Sequence, residues 1–254
     1  MPEEHMPRVV TITKIIDRTP TIKTFIFDES FNFRPGQFCM IWIPGVDEIP
    51  MAFSASNSIT VMRVGDATTA LFNLKEGDKI GIRGPLGNGF SPNGNVLAIG
   101  GGIGVTPLFS LATESKVETF ILGARTSKEL VFVDELTNIT KLKIATDDGT
   151  RGFHGFVTDI LDQMDVTEYD TICVCGPEQM MKGILDRLTT KGIEKRGQFS
   201  LQRYMKCGVG ICGSCCMDHE GFRVCRDGPI FTGNMLKNSE FAHHYRGPSG
   251  KREG

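Results

Sequence analysis

The hydrophobic rhythm of the chain changes once, near Pro92, and that change limits the fold more than any other feature. From residue 8 to 90, short β-branched or aromatic runs recur: RVVTITKII, TIKTFIFD, FCMIWIP, SITVMRV and DKIGIRG. Turn-forming stretches, RPGQ, KEGD and GPLGNG, separate them. Short strands at that spacing predict a small antiparallel barrel or sandwich. The stretch ATTALFNLK interrupts them as a short helix. After Pro92, apolar strands alternate with amphipathic helices: NVLAIGGG, VTPLFSLATES, VETFILGAR, KELVFVDELTNI, LKIATDDG, GFVTDILDQM, YDTICVCGP and EQMMKGILDRLTTKG. Alternation of this kind predicts a parallel sheet with helices on both faces, doubly wound if its crossovers are right-handed. From about residue 196 the periodicity fades, and Cys and Gly accumulate. The chain therefore reads as multidomain: a β-barrel over 1–91, an α/β domain over 92–195, and a small C-terminal domain with its tail over 196–254. The final residues, RGPSGKRE and a last Gly, are expected to fray.

The C-terminal segment is too short to build a large core unaided, so a metal centre would help it fold. Of eight cysteines, Cys39, Cys173 and Cys175 lie in strand-like apolar runs and read as small buried hydrophobes. The other five, Cys207, Cys212, Cys215, Cys216 and Cys225, fall within nineteen residues. Cys207, Cys212 and Cys215 follow C-x4-C-x2-C, the spacing of the first three ligands of a plant-type [2Fe–2S] centre. Glycines at 208, 210 and 213 let such a loop fold tightly and point N–H groups at the sulfurs. Zinc sites favour paired C-x2-C hairpins or added histidines, which the x4 spacing fits poorly.

Two further motifs end strands. In AIGGGIGVTPL, residues 98 to 108, Gly100, Gly101, Gly102 and Gly104 precede a helix that starts near Thr106–Pro107. Glycines allow close backbone approach to a pyrophosphate, and a helix N-terminus supplies unpaired N–H groups. The spacing is not that of G-x-G-x-x-G, and a plain tight turn is the competing reading. In CVCGPEQMM a strand ends at Cys175 and Gly–Pro leads into a helix. In an open α/β sheet both turns would line the crevice at the strands' carboxyl ends. In the barrel region, Asp66, Thr68 and Thr69 are good residues for a helix N-terminus.

The net charge of −2 carries no basic footprint for nucleic acid. No apolar run approaches the roughly 18 residues of a membrane span. The start, MPEEHMPRVV, lacks the basic and apolar regions of a signal peptide. A soluble, cytoplasmic protein is expected, where structural disulfides are disfavoured. The five histidines are scattered, no nucleophile–base pair stands out, and no catalytic residue is assigned.

A β-barrel, then GGGIGVTP and CGPEQMM, then a cysteine cluster resembles the layout of ferredoxin-reductase-like flavoproteins, up to about residue 240. RYMKCGVGICGSC, VCRDGPIF and GPLGNGF are most similar to the electron-transfer subunits of type B dihydroorotate dehydrogenases. The resemblance implies Cys225 as the fourth cluster ligand. Cys216 is then a bystander, since adjacent side chains of an extended segment point to opposite sides; HEG is a plausible turn returning the chain towards Cys225. It also implies FAD across the barrel at Met51, Ala52, Phe53 and Ser54, with Met62 and Arg63 nearby and the pyrophosphate near Ala67 and Thr68. Met51 stands where the family's flavin motif has Arg, and Arg63 is the candidate replacement charge. NAD is implied at Gly101, Gly102, Gly104, Val105, Thr106 and Pro107, facing Cys175, Gly176 and Pro177. Arg125 is placed to meet the extra phosphate of NADP, which keeps that alternative open.

The implied function is electron relay in pyrimidine biosynthesis. Electrons pass from an FMN-containing dihydroorotate dehydrogenase catalytic subunit, in a heterotetramer of two of each, through [2Fe–2S] and FAD to NAD+. Alone, the chain is expected not to oxidise dihydroorotate but to oxidise NADH with an artificial acceptor. Ile211, Met217, Ile230 and Phe231 are the expected apolar contacts to the partner, unless they only wrap the cluster. A sulfite-reductase-type or ferredoxin-reductase subunit is the nearest alternative. A zinc-stabilised nucleotide-binding regulator is the alternative of a different class.

Overall fold

The computed structural model describes residues 6–217, 220–243, 245–246 and 252–253. The rest of the tail expected to fray, and His219 of the expected HEG turn, lie outside the described residues.

Six strands close the N-terminal barrel: β1 (Arg8–Thr19), β2 (Ile22–Phe27), β3 (Phe38–Ile43), β4 (Asp47–Ala55), β5 (Ser58–Met62) and β6 (Lys79–Leu86). Their order is β1-β2-β5-β4-β3-β6, and every adjacent pair is antiparallel. The short helix α1 (Asp66–Asn73) lies between β5 and β6. Side chains alternate across each strand. In FCMIWI, Cys39, Ile41 and Ile43 therefore enter the barrel core beside Phe25, Phe53 and Ile59. Phe38 and Met40 point outward but are buried too, because the C-terminal segment covers them. That cover explains why β3 is apolar on both faces.

The α/β region runs β7 (Val96–Gly101), α2 (Val105–Glu114), β8 (Thr119–Ala124), α3 (Val133–Ile139), β9 (Lys141–Thr146), β10 (Phe153–His154), α4 (Val157–Asp162), β11 (Thr171–Cys175) and α5 (Glu178–Thr190). The C-terminal segment adds β12 (Gly197–Ser200), α6 (Val224–Asp227), β13 (Ile230–Thr232) and α7 (Gly233–Leu236). The sheet order is β10-β9-β8-β7-β11-β12-β13, parallel except for β13. α2 and α3 cover one face through Leu108, Leu111 and Leu136. α4 and α5 cover the other through Ile160, Ile184 and Leu188.

The segment after residue 196 also extends the sheet: β12 pairs with β11 from Ile172 opposite Gly197 to Cys175 opposite Ser200, and β13 closes that edge. Its strands are only four and three residues long, too short to show a period. KELVFVDELTNI is not one helix. Its α-helical part begins at Val133, after Phe132 takes a left-handed conformation (φ 61°) and stacks on Phe109 with centroids 4.0 Å apart.

The regions are tied by specific contacts. Arg18 of β1 lies 4.6 Å over the Phe132 ring and pairs with Glu135 at 2.5 Å. Asn88, from GPLGNG, donates to the carbonyls of Asp227 (3.2 Å) and Ile230 (3.0 Å) and accepts from the Ile230 amide (2.9 Å). No helix among the described residues is long and apolar enough to cross a membrane.

Candidate cluster loop and cofactor cavities

The cysteine loop turns through three glycines in the left-handed region: Gly208 (φ 68°), Gly210 (φ 79°) and Gly213 (φ 76°). L-residues with a Cβ rarely adopt those angles, and the turns aim amides at sulfur. Ile211 N–H donates to Cys207 Sγ at 3.3 Å, and Cys212 N–H to the same sulfur at 3.5 Å. Gly210 N–H donates to Cys225 Sγ at 3.1 Å, and Cys225 N–H, in α6, to Cys215 Sγ at 3.4 Å. Arg223 Nη1 closes the loop on the Gly210 carbonyl at 2.9 Å.

The four thiols fall into two pairs, Cys207 with Cys212 and Cys215 with Cys225. The Ser214 hydroxyl, first among several hydrogen bonds, holds the Cys212 thiol down to about 6. Within the buried pair, the hydrogen bond from Cys225 favours the Cys215 thiolate and pushes the Cys225 thiol up. The Cys212 and Cys215 shifts both favour the thiolate, the form in which a cysteine binds metal. Among the described residues, no three His, Cys, Asp or Glu side chains converge on a position for a single ion. Two irons with two thiolates each would take these four thiols as two pairs. Cys216 bridges to Arg223 across the returning hairpin, and its thiol donates to the Gly221 carbonyl at 3.8 Å. Met217 N–H to Phe222 O (2.8 Å) and Gly221 N–H to Met217 O (3.1 Å) complete that hairpin.

The loop is fastened to the barrel. Arg83 donates from Nη1 to the Cys207 carbonyl at 3.0 Å, while Nε and Nη2 grip Glu48 at 3.0 and 2.8 Å. Phe38 and Met205 share one core with Cys215 and Cys225, and both also line a cavity of 340 Å³ between the barrel, α2 and the C-terminal segment. A second cavity, of 560 Å³, lies at the carboxyl ends of β7, β8 and β11. Met62, Ile103 and Gln202 line both, so the two are neighbours.

The expected FAD residues divide. Met51, Ala52, Met62 and Thr68 line the first cavity, together with Thr106, Pro107 and Cys175 from the second group. Phe53 faces the barrel core instead, 5.5 Å from Phe31 and 4.9 Å from Phe33 between ring centroids. Ser54 is buried and shares a 2.9 Å hydrogen bond with Ser58. Ala67 packs on the barrel core. Arg63 is exposed, 5.4 Å over the Phe72 ring, and lies outside both cavity walls. The Thr68 hydroxyl accepts from the amides of Val64 (2.9 Å) and Gly65 (3.0 Å), fixing the start of α1.

Gly101, Gly102 and Gly104 line the second cavity opposite Gly176 and Pro177. Gly104 marks the close approach of the two motifs, since a Cβ there would lie 2.6 Å from the Cys175 carbonyl oxygen and 2.7 Å from Gly176 Cα. Val105, the first residue of α2, is fully buried and lines neither cavity. Arg125 lines the second cavity but is engaged by Glu129, Nη2 to Oε1 at 2.9 Å and Nε to Oε2 at 3.3 Å, with Asp147 in the same wall.

Of the four apolar residues expected at a partner contact, Met217, Ile230 and Phe231 are buried in the cores. Ile211 is 84% exposed at the tip of the cysteine loop. Residues missed from sequence are Phe38 and Met205, whose outward burial needs the tertiary cover, and Arg203, which pairs with Glu178 and lines the first cavity.

The family model described as "Iron-sulfur cluster binding domain of dihydroorotate dehydrogenase B" matches residues 202–237. That described as "Oxidoreductase NAD-binding domain" matches residues 98–186. A relative from Methanocella arvoryzae, named "Probable dihydroorotate dehydrogenase B (NAD(+)), electron transfer subunit", is 49% identical over 254 residues, with 97% of this chain and 98% of the relative covered. A relative of the same name from Methanocaldococcus jannaschii is 48% identical over 253 residues, with 97% and 98% covered. The solved structure titled "Insights into flavin-based electron bifurcation via the NADH-dependent reduced ferredoxin-NADP oxidoreductase structure" aligns with a TM-score of 0.82 and 31% identity, over 93% of this chain and 91% of the other. The flavohem-like FAD/NAD binding domain of nitric oxide dioxygenase from Vibrio cholerae shares the fold, with a TM-score of 0.68 and 20% identity over 76% and 97%.

Proposed function

The chain belongs to the electron transfer subunits of dihydroorotate dehydrogenase B, and on that premise we propose that it carries electrons from a dihydroorotate-oxidising partner through a [2Fe–2S] centre and FAD to NAD+, in pyrimidine biosynthesis. When bound, the iron–sulfur centre handles single electrons, and FAD gathers two of them for NAD+, which accepts only a hydride. One observation carries the reading: the cluster loop, the first cavity and the second cavity follow one another through shared walls. Phe38 and Met205 join the loop to the first cavity, and Met62, Ile103 and Gln202 join the first to the second.

Each residue group has a task in this reading. Cys207, Cys212, Cys215 and Cys225 hold the irons in two pairs. Met51, Ala52, Met62 and Thr68 bound the flavin site. The glycines of β7 and Cys175 to Pro177 admit the dinucleotide, and the Arg125–Glu129 pair with Asp147 favours a ribose hydroxyl over a phosphate, hence NAD. Regions 1–91, 92–195 and 196–254 act as flavin, nicotinamide and cluster regions. The partner is an FMN-containing catalytic subunit, two of each forming the complex in the cytoplasm, where cluster thiols stay reduced. Ile211, beside ligand Cys212, is the apolar contact to that partner.

Co-purification with the catalytic subunit, followed by dihydroorotate-driven NADH formation, tests this. The complex is expected to turn over, and the isolated chain is expected to oxidise NADH only with an artificial acceptor. Dihydroorotate turnover by the chain alone, or a complex inactive with NAD+ but active with ferredoxin, would overturn it. Ile211→Glu is expected to weaken the complex while leaving the visible spectrum unchanged.

A further inference from the structure

Among the described residues, Arg203 is the one charged side chain lining the 340 Å³ cavity. It lies three residues beyond the end of β12, and its side chain is only 2% exposed. Nη1 is engaged, pairing with Glu178 and donating to the Gln202 carbonyl at 2.8 Å. Nε and Nη2 are buried without a hydrogen-bond partner. Idle buried donors on a charged group are costly, so a ligand that supplies acceptors would remove that cost. The surrounding wall is neutral, with Phe38, Pro50, Met62 and Pro229. Position 51 is Met where the resemblance expects Arg, and Arg63 lies on Phe72 outside the wall. The positive charge at this site therefore comes from the cluster segment, not from the barrel.

We propose that Arg203 is a positioning and charge-holding residue for the flavin ring, donating its two idle N–H groups to ring acceptors and holding the negative charge the ring gains on reduction. This rests on the reading that the cavity takes FAD. The ring, rather than the diphosphate, is the partner because ring and nicotinamide must meet where the cavities adjoin. Gln202 lines both cavities there, and Glu178, the ion-pair partner of Arg203, lines the second. Reduction by two electrons and one proton leaves one negative charge, and a fixed cation in a water-poor site stabilises it. Glu178 partly neutralises that cation and so acts in the opposite sense.

The test is a dye-equilibrated reduction titration of the full-length chain carrying its flavin and cluster, without nicotinamide or partner. Arg203→Met is expected to lose about tenfold in preference for reduced over oxidised flavin, a midpoint roughly 30 mV more negative. Arg203→Lys is expected to stay near wild type, and Glu178→Gln to shift the other way. The last two keep the test intact if Arg203→Met does not fold. A wild-type chain without flavin would overturn the FAD reading itself. Bound flavin with unchanged midpoints, or Glu178→Gln moving in the same direction as Arg203→Met, would overturn the role of Arg203 alone.

Discussion

Replacing Asn88 by Ala probes how the cluster region is held on the barrel. The amide makes three hydrogen bonds to backbone groups just after the buried Cys225: to the carbonyls of Asp227 (3.2 Å) and Ile230 (3.0 Å), and from the Ile230 amide (2.9 Å). The Asn88 main-chain amide also donates to Gly228 O at 2.7 Å, and this bond survives the substitution. At about 1 kcal/mol net per bond the loss is roughly 3 kcal/mol, less whatever water recovers at a half-buried site. Since 1.4 kcal/mol is tenfold, local opening of the cluster segment should rise roughly 30- to 140-fold if about 2–3 kcal/mol is lost. The assay is the bleaching of iron–sulfur absorbance by an iron chelator, with flavin release followed in parallel. Cluster loss should accelerate by that factor while flavin release changes little. Equal cluster lifetimes in Asn88→Ala and wild type would refute the clamp, and parallel acceleration of both losses would show a general loss of fold instead.

Arg83→Gln should loosen the loop by about 1.5–3 kcal/mol, because a charged donor to the Cys207 carbonyl is lost; the temperature at which cluster circular dichroism disappears reads it. Gly104→Ala should separate α2 from the β11 turn, since the Cys175 carbonyl and the Gly176 backbone cannot yield as side chains do. NADH affinity by calorimetry should fall with the flavin spectrum retained. Burial pushes the Cys175 thiol up to about 12 and raises Cys39 and Cys173 further. The thiolate form is thus scarce until pH passes those raised values, and all three should resist alkylation at pH 8 until the protein unfolds, as peptide mass mapping would record.

The barrel, the alternating α/β region and the cysteine spacing were legible because each follows from local pattern: period 2, the switch to strand–helix alternation, and x4-x2 spacing. What the chain does across long distances was not. Phe53 sits in a motif read as flavin-contacting, but strand alternation at β4 turns it inward. Met217, Ile230 and Phe231 look like surface apolar residues among glycines, yet β12 and β13 join the central sheet and bury two of them, while the hairpin buries the third. No local sequence pattern singles out Arg203. Its importance depends on Glu178, twenty-five positions earlier in the chain, and on a cavity wall that only the assembled regions create. Asn88 was part of a recognised motif, but its task became visible only through the backbone it holds.

The proposed relay requires the two thiol pairs to hold a [2Fe–2S] centre in electronic contact with a flavin that nicotinamide reaches. Anaerobic reduction of the full-length chain by NADH, followed by electron paramagnetic resonance and visible absorption, tests that requirement. Wild type and Cys216→Ala should both bleach the flavin and develop the signal of a reduced [2Fe–2S] centre. Cys225→Ala should bleach the flavin without that signal. A Cys216→Ala protein lacking the signal while Cys225→Ala retains it, or a wild-type chain whose flavin is reduced while its cluster stays oxidised under excess NADH, would contradict the account.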